Sequence, residues 1–300
     1  MEAELKILIL GASGMIGHAL FKYFLPRYET IGTLRGGPKD YNYENFDNLI
    51  DHVDIRNFDN VKSIIDNTKP NVVINCIGIV KQISESIKIS DQIYLNSLIP
   101  HLLAELSISM GFRSINLSTD CVFSGSRGNY TEADIPDASD IYGLTKILGE
   151  VNNESGLTIR TSTIGLELSH QHGLVEWFLS CKGDIQGFDN AIYSGLTTLE
   201  LAKYLEYILN YQPDITGVFQ MAAKKITKYD LLKRLSVALN KTDVSILKNV
   251  DFECDRSLVG SRLEELTGYK VSSWDSMIDD LSLEILERDS GIESSQRSRN

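Results

Sequence analysis

The stretch LKILILGASGMIGHAL, residues Leu5 to Leu20, decides the fold of this chain. Its first half is an almost unbroken apolar run that stops at Gly11, and such a run is typical of a strand buried on both faces of a parallel sheet. Gly11, Gly14 and Gly17 follow in the spacing G-x-x-G-x-x-G, and an apolar stripe of helical period then begins. The first glycine permits a sharp turn, the second lets a phosphate approach the backbone, and the third lets the helix lie close to the strand.

The N-terminus of the helix offers unpaired N–H groups and a partial positive charge to a diphosphate. Because a strand precedes the glycines and a helix follows them, we predict a dinucleotide-binding turn rather than a glycine-rich turn that binds nothing. The predicted cofactor-binding residues of this turn are Gly11, Ser13, Gly14, Met15, Ile16 and Gly17.

A second strand is predicted over residues 29–34, and Arg35 follows it. In dinucleotide folds an acidic residue at this position binds the ribose 2′-OH, whereas an arginine accommodates a 2′-phosphate. Arg35 therefore favours NADP as the cofactor and leaves NAD open; the alternative is a solvated surface arginine.

Apolar runs at residues 71–80, 113–117 and 157–161 alternate with helical patterns such as 58–67 and 87–110, and Val53–Ile55 is expected to end a short strand. This alternation predicts an α/β fold, a Rossmann-like doubly wound parallel sheet with its ligand at the carboxyl ends of the strands. We expect a dinucleotide-binding domain over 1–164 and a smaller C-terminal substrate lobe over 165–286, some elements of which pack back on the first domain. A disordered tail is expected over 287–300.

Composition excludes several classes of partner. The net charge of -12 opposes nucleic acids and anionic membranes, and no apolar stretch reaches the roughly 18 residues of a membrane span. The four cysteines are scattered and no His/Cys cluster has zinc-ligand spacing, so we expect no metal site and reduced, mostly core thiols in a cytoplasmic protein. His170 and His172 are assigned no role. The oligomeric state stays open, a homo-oligomer included.

Tyr142 and Lys146 stand in the spacing Y-x-x-x-K on a predicted helix, so both side chains project from one face. A nearby ammonium lowers the pKa of a phenol, which makes Tyr142 a candidate general acid and Lys146 a candidate contact of the nicotinamide ribose. In isolation such a pair is more often an ordinary helix surface. Its position downstream of the glycine turn favours the functional interpretation.

Ser118-Thr119-Asp120 ends the strand that begins at Arg113. A hydroxyl at this edge of the sheet can bond to a substrate carbonyl and polarise it for hydride attack. The alternative is a plain turn, since all three residue types favour one.

These motifs together resemble an extended short-chain dehydrogenase/reductase, and within it the dTDP-4-dehydrorhamnose reductase branch of sugar-nucleotide reductases. The resemblance rests on the glycine turn, Asp54-Ile55, Asn75 to Gly78, Ser118 to Asp120, Tyr142 to Lys146 with Gly149-Glu150, and Arg160 to Ser162. It implies a catalytic triad of Thr119, Tyr142 and Lys146. It also implies that Asp54 and Ile55 lie at the adenine, and Cys76, Ile77 and Gly78 along the cofactor.

The chain departs from that branch at several positions. Cys121 replaces the usual Tyr, Thr163 replaces the usual Trp, and residues 187–198 and 255–258 look more like relatives that act on other nucleotide-linked 4-keto sugars. Asp120-Cys121 lacks the second carboxylate of the related dehydratases, which argues against dehydration. The predicted substrate-binding residues are Thr119, Asp120, Tyr142 and Arg256, the arginine serving the substrate diphosphate unless it forms a surface ion pair.

The expected function is therefore an NADP(H)-dependent reductase of a nucleotide-activated 4-keto-6-deoxy sugar, with hydride from the nicotinamide and the proton from Tyr142. Two alternatives remain open. One is a sugar-nucleotide 4-epimerase that uses the same triad with retained NAD. The other is a non-catalytic NADP-binding subunit, because the regulatory subunit of methionine adenosyltransferase resembles the same reductase branch.

Overall fold

The computed structural model describes residues 5–41, 47–169 and 173–290, so His170, His172 and the part of the expected tail at 291–300 lie outside the described residues. In chain order the strands are β1 (Lys6–Leu10), β2 (Glu29–Thr33), β3 (Leu49–Ile50), β4 (Val72–Asn75), β5 (Arg113–Thr119), β6 (Leu157–Thr161), β7 (Thr163–Ile164), β8 (Gly183–Phe188), β9 (Ala191–Tyr193), β10 (Leu196–Thr197), β11 (Gly217–Gln220), β12 (Ile226–Thr227), β13 (Val244–Asn249) and β14 (Cys254–Asp255).

The α-helices are α1 (Met15–Phe24), α2 (Phe58–Thr68), α3 (Lys81–Ser84), α4 (Ile89–Gln92), α5 (Ile99–Met110), α6 (Ile141–Leu148), α7 (Leu174–Ser180), α8 (Thr198–Tyr211), α9 (Lys228–Ala238), α10 (Ser261–Thr267) and α11 (Trp274–Asp289). A π-helical segment, Ile93–Leu98, joins α4 to α5. Short 3₁₀ turns cover Pro38–Tyr41 and Asp120–Val122.

Seven parallel strands form the main sheet in the order β11-β6-β5-β4-β1-β2-β3. The chain leaves β1 in one direction towards β2 and returns on its other side at β4, so a crevice opens beyond the carboxyl ends of these strands. The predicted Rossmann-like α/β fold is confirmed.

Alternation along β1 builds a core on each face of the sheet. Ile7 and Ile9 pack with residues of α1, α8 and α11, whereas Leu8 and Leu10 pack with residues of α2 and α5. All four side chains have no exposed surface. The apolar run is therefore unbroken because both of its faces are covered.

Three local expectations are corrected. The third strand is Leu49–Ile50, not one that ends at Val53–Ile55, because the chain turns at Asp54, whose carbonyl oxygen accepts from Asn57 N. The fourth strand stops at Asn75, whose Oδ1 accepts from Ile77 N at 3.1 Å. The tail expected to be disordered from residue 287 begins inside helix α11, which continues to Asp289. Ile285 of this helix is buried in the core, and Arg288 bonds to Glu176 at 2.6 Å.

The second half of the chain is divided between the main sheet and smaller sheets. Strand β11 pairs with β6, and α8 packs against α1. Beside the main sheet lie the pair β8–β13 and the three strands β12-β9-β14. The domain boundary at residue 165 stays a proposal for the strands outside the main sheet.

The four cysteines are free and half-buried, and Cys76 and Cys181 pack against the main core. Among the described residues, no helix has both the length and the apolar character needed to cross a membrane.

Candidate functional site

The glycine turn joins β1 to α1 so closely that side chains at Gly11 and Gly17 would collide with neighbouring atoms. Gly11 has a φ of +85°, and a Cβ on Gly17 would lie 2.1 Å from Gly11 O. The helix therefore begins directly against the end of the strand, as predicted from the spacing.

Gly14 is different, because it faces open space. A Cβ there would find its nearest heavy atom at 3.6 Å, and no side chain caps the helix that Gly14 begins. Gly14 is exposed, and Ser13, Met15 and Ile16 are half-buried around it. An uncapped helix N-terminus with room above the backbone fits a diphosphate.

The residues beyond β2 lie at the rim of this crevice. Arg35 is exposed, and Asp54 forms an ion pair with Arg56 at 2.8 Å. Arg56 hydrogen bonds, with a smaller contribution from the charge of Arg35, lower the pKa of Asp54. Ile55 is buried. The charge of Arg35 therefore acts on Asp54, and Asp54 is also held by its ion pair with Arg56.

The loop beyond β4 lies against the glycine turn. Ile77 Cγ1 would be 2.7 Å from a Cβ on Gly11, so the two loops are in contact. Cys76 is half-buried and burial raises its pKa to about 12, which keeps its thiol neutral. Gly78 is exposed at the end of this loop.

Asn96 fixes the position of that loop, and sequence reasoning did not identify it. It lies in the π-helical segment, where its Oδ1 accepts from Ile79 N at 2.8 Å and its Nδ2 donates to Thr145 Oγ1 at 3.1 Å. One buried amide therefore links the loop beyond β4 to α6. The apolar pattern of residues 87–110 contains no signal for this role, because the pattern is uninterrupted there.

Helix α6 is pressed against the 3₁₀ turn that follows β5. Asp140 caps the helix by accepting from Gly143 N at 2.9 Å and pairs with Lys81 at 3.0 Å. A Cβ on Gly143 would lie 2.7 Å from Cys121 O. Glycine at this position lets the helix approach closely enough to bring Tyr142 beside Thr119.

Tyr142 lies near enough to Thr119 and Cys121 for both to act on the pKa of its phenol. That pKa is raised, first by burial and then by Cys121, while Thr119 acts in the opposite direction. Lys146 is not among the groups identified as acting on the pKa of this phenol, so the expected lowering by Lys146 stays a prediction.

Lys146 donates from Nζ to Leu117 O at 2.6 Å and is 8% exposed. Burial lowers its pKa to about 8, and the charge of Glu150 opposes that shift. A Cβ on Gly78 would lie 4.0 Å from Nζ. The ammonium therefore lies between β5 and the loop beyond β4, on the same edge of the sheet as the glycine turn.

Asp120 is buried beside Thr119, whose Oγ1 donates to it at 3.1 Å. Burial raises the pKa of this carboxyl, whereas the charges of Arg256 and Lys228 act to lower it. Arg256 donates to Phe123 O at 2.8 Å and to Ser124 O at 3.1 Å, so it is held at this edge by backbone rather than by a surface ion pair.

Three cations, Arg256, Lys228 and Lys81, lie near Asp120 and Cys121, and Lys81 is paired with Asp140. Arg256 and Lys81 act on Cys121, and Arg256 and Lys228 act on Asp120. Such a set of cations suits a phosphate-bearing ligand. Among the residues that the structure describes, no group of three or more His, Cys, Asp or Glu could hold a metal ion.

The profile of the RmlD substrate binding domain family matches residues 5–185. Methionine adenosyltransferase 2 subunit beta of Mus musculus is 24% identical over 313 residues, which cover 91% of this chain and 89% of that protein. The dTDP-4-dehydrorhamnose reductase of Aggregatibacter actinomycetemcomitans is 34% identical over 148 residues, covering 48% of this chain and 45% of that protein.

Among solved structures, the dTDP-4-dehydrorhamnose reductase of Bacillus anthracis in complex with NADP superposes with a TM-score of 0.77 at 18% identity, covering 94% of this chain and 99% of that one. This likeness concerns the fold. The family match spans more than half of the chain and includes the glycine turn, Thr119, Tyr142 and Lys146. The chain therefore belongs to the RmlD substrate binding domain family, as a dTDP-4-dehydrorhamnose reductase-like member of the extended short-chain dehydrogenases/reductases.

Proposed function

We propose that the protein is an NADP(H)-dependent reductase of a nucleotide-activated 4-keto-6-deoxy sugar, within deoxysugar synthesis for polysaccharides. The observation that carries the proposal is the close packing of α6, which bears Tyr142 and Lys146, against the turn that follows Thr119, on the edge of the sheet that also holds the open glycine turn. The NADP complex of the B. anthracis reductase with the same fold supports the choice of cofactor, and NAD is the alternative.

The residues present fit such a cofactor. The uncapped N-terminus of α1 at Gly14 would hold the diphosphate, and the exposed Arg35 would meet a 2′-phosphate. Asp54 and Ile55 would face the adenine, and Cys76 to Gly78 would follow the cofactor towards Lys146. When bound, the dihydronicotinamide supplies a hydride to the carbonyl carbon.

Tyr142 acts as the acid of this reaction. The phenol carries its proton at neutral pH and would give it to the carbonyl oxygen, with Lys146 and the bound cofactor lowering its pKa towards the working pH. Thr119 would orient that oxygen. Lys146, with a pKa of about 8, is mostly an ammonium at pH 7 and binds cofactor hydroxyls from its place beside Leu117.

The substrate's charged end would lie against Arg256, with Lys228 and Lys81 nearby. Asp120 would accept a hydrogen bond from a sugar hydroxyl next to the carbonyl. Free, half-buried cysteines suit a reducing compartment, so a cytoplasmic location is part of the proposal.

A panel of UDP-, GDP- and dTDP-linked 4-keto sugars tests the function, with NADPH consumption followed by product identification. We expect one member to be reduced, and Tyr142→Phe to abolish its turnover by at least about 100-fold while NADPH affinity is kept. Full activity in that variant, or no reduction across the panel by a chain that binds NADPH, would refute the reductase assignment.

A second candidate is a non-catalytic NADP-binding regulatory subunit. The observation that favours it is the match to methionine adenosyltransferase 2 subunit beta over 91% of this chain. Size-exclusion chromatography with a methionine adenosyltransferase catalytic subunit tests it: a stable complex that Tyr142→Phe leaves intact supports the binding subunit. Separate elution combined with sugar reduction supports the enzyme.

A further inference from the structure

Two segments outside the main sheet are joined to each other by backbone hydrogen bonds. Loop 123–130 begins directly after the 3₁₀ turn that follows Thr119, and segment 254–259 contains Arg256. The three bonds between them are Asp255 N to Gly125 O at 2.8 Å, Tyr130 N to Ser257 O at 2.9 Å and Val259 N to Tyr130 O at 2.8 Å. The loop that leads away from Thr119 therefore holds the segment that contains Arg256.

The loop also binds the Arg256 side chain itself. Nε donates to Phe123 O at 2.8 Å, and Nη2 donates to Ser124 O at 3.1 Å. A Cβ on Gly125, whose φ is +87°, would lie 3.0 Å from Cγ of Arg256, so the glycine leaves the space that the arginine occupies. Within the described part of the chain, Nη1 of Arg256 bonds to no protein group and is not enclosed. This end of the guanidinium is available to a ligand.

Loop 123–130 is fixed in turn by a stack of aromatic and cationic side chains. The rings of Phe123 and Tyr130 lie 4.1 Å apart and 6° from parallel. Arg160 lies over the Phe123 ring at 5.2 Å, and Arg127 lies over the Tyr130 ring at 4.9 Å. Phe123 is wholly buried and Tyr130 is 4% exposed. Since such contacts stabilise one arrangement of the rings, they restrict the backbone of Phe123, whose carbonyl binds Arg256.

We propose that Tyr130 is a positioning residue: by stacking on Phe123 it fixes the carbonyls that orient Arg256, whose Nη1 then binds the diphosphate of a nucleotide sugar. A planar guanidinium can bind carbonyls on one edge and phosphate oxygens at its other end, and a donor that is already ordered loses less entropy on binding. The identity of the ligand rests on the proposed function, whereas the orientation of the arginine does not.

The first experiment follows the orientation of Arg256 by NMR in protein labelled with ¹⁵N-arginine, without cofactor or substrate. Its Nε–H signal is assigned by its absence from the R256K spectrum, and the exchange of this proton with water is measured. We expect exchange to be at least about 10-fold faster in Y130L, which removes the ring, and unchanged in Y130F, which keeps it. If Y130L does not fold, Y130M takes its place.

The matched control is Y204L. Tyr204 of α8 is wholly buried and stacks on Tyr269 at 4.3 Å, so this variant reports the effect of losing a stacked ring elsewhere in the fold. We expect it to leave the exchange of the Arg256 proton unchanged. Exchange that is equally fast in Y204L and Y130L, or unchanged in folded Y130L and Y130M, would overturn the role of Tyr130.

The second experiment measures the binding of UDP, GDP and dTDP by calorimetry, with circular dichroism as the control for folding. We expect one of them to bind, and R256A and Y130L each to weaken its binding about 10-fold while NADPH affinity is kept. The double variant Y130L/R256A should bind no more weakly than R256A, because Tyr130 acts through the arginine. Additive losses in the double variant would overturn that role.

The two experiments separate this inference from the reductase assignment. Protection of the Arg256 proton that depends on Tyr130, combined with no binding of the three nucleotides, would confirm the orientation of the arginine and refute its diphosphate ligand together with the proposed substrate. Nucleotide binding that depends on both residues, without reduction of any sugar, would support the inference and refute the reductase.

Discussion

At the scale of single residues, Lys146 makes stability depend on pH in a particular direction. Its pKa is about 8 in the folded chain and 10.5 in the absence of its surroundings. Below pH 8 the lysine is protonated in both states, and between the two values only the unfolded chain keeps the proton. The free energy of unfolding therefore rises with pH in this window, by up to about 3 kcal/mol from this group.

The measurement compares urea unfolding of the unmodified chain and K146M at pH 7, 8, 9 and 10. We expect the stability of the unmodified chain relative to K146M to be constant up to about pH 8 and to increase above it. The variant serves as the control for all other groups that titrate in this range. A constant difference up to pH 10 would contradict the depressed pKa.

The site residues that could be predicted are those whose position follows from a short stretch of sequence, and those placed by contacts between distant elements could not be predicted. The spacing of Tyr142 and Lys146 places both on one helix face, and the strand before Thr119 places its hydroxyl at the sheet edge. Spacing could not show that the Lys146 ammonium donates to Leu117 O, because this acceptor lies 29 residues earlier in the chain. Glu150 and Arg160 belong to motifs that carry the family resemblance, but their ion pair could not be predicted, because it joins two different elements.

At the scale of elements, the glycine turn between β1 and α1 can be tested with two matched substitutions. A Cβ on Gly17 would lie 2.1 Å from Gly11 O, whereas one on Gly14 would have nothing nearer than 3.6 Å. Gly17→Ala should therefore lower the free energy of unfolding by about 3 kcal/mol, and Gly14→Ala should stay within about 1 kcal/mol of the unmodified chain. Urea denaturation followed by circular dichroism gives both values.

The two variants also differ in what they do to cofactor binding. Gly14→Ala should weaken NADPH binding while the fold is kept, because the methyl group would occupy the space above the helix N-terminus. NADPH fluorescence on the folded protein measures this effect. Equal stability losses in the two variants, or unchanged NADPH affinity in a folded Gly14→Ala protein, would show that the turn does not work as its spacing indicates.

Elements whose apolar pattern reflects burial in the sheet could be predicted. Elements whose backbone geometry depends on side-chain contacts with distant residues could not. The run at Ile7 to Leu10 predicted a central strand because both faces of the sheet are covered there. The π-helical segment at Ile93–Leu98 has the apolar period of an ordinary helix. Asn96 lies within this segment and bonds to Ile79 and Thr145 on other elements, and the local sequence pattern does not indicate such contacts.

At the scale of the whole molecule, the expected boundary near residue 165 does not separate two cores. Strand β11 completes the main sheet beside β6, and one apolar core contains Leu20 of α1 together with Leu205 of α8 and Leu281 of α11. The expectation that some elements after residue 165 pack back on the first domain agrees with this core. The sequence pattern did not indicate that β11 joins the main sheet, because its pairing with β6 is a contact between positions about 60 residues apart.

The final prediction follows from that shared core. A fragment of residues 1–164 would leave β6 as a bare sheet edge and expose the face of α1 that α8 covers, so we expect it to remain unfolded or to aggregate. The chain of residues 1–290 should unfold in a single cooperative transition by calorimetry, with the signals of the main sheet and of the smaller sheets lost together. A folded 1–164 fragment with dispersed NMR signals, or two separate calorimetric transitions for the longer chain, would mean that the second half is an independent lobe after all. In that case NADPH binding by the fragment alone would locate the dinucleotide site within it.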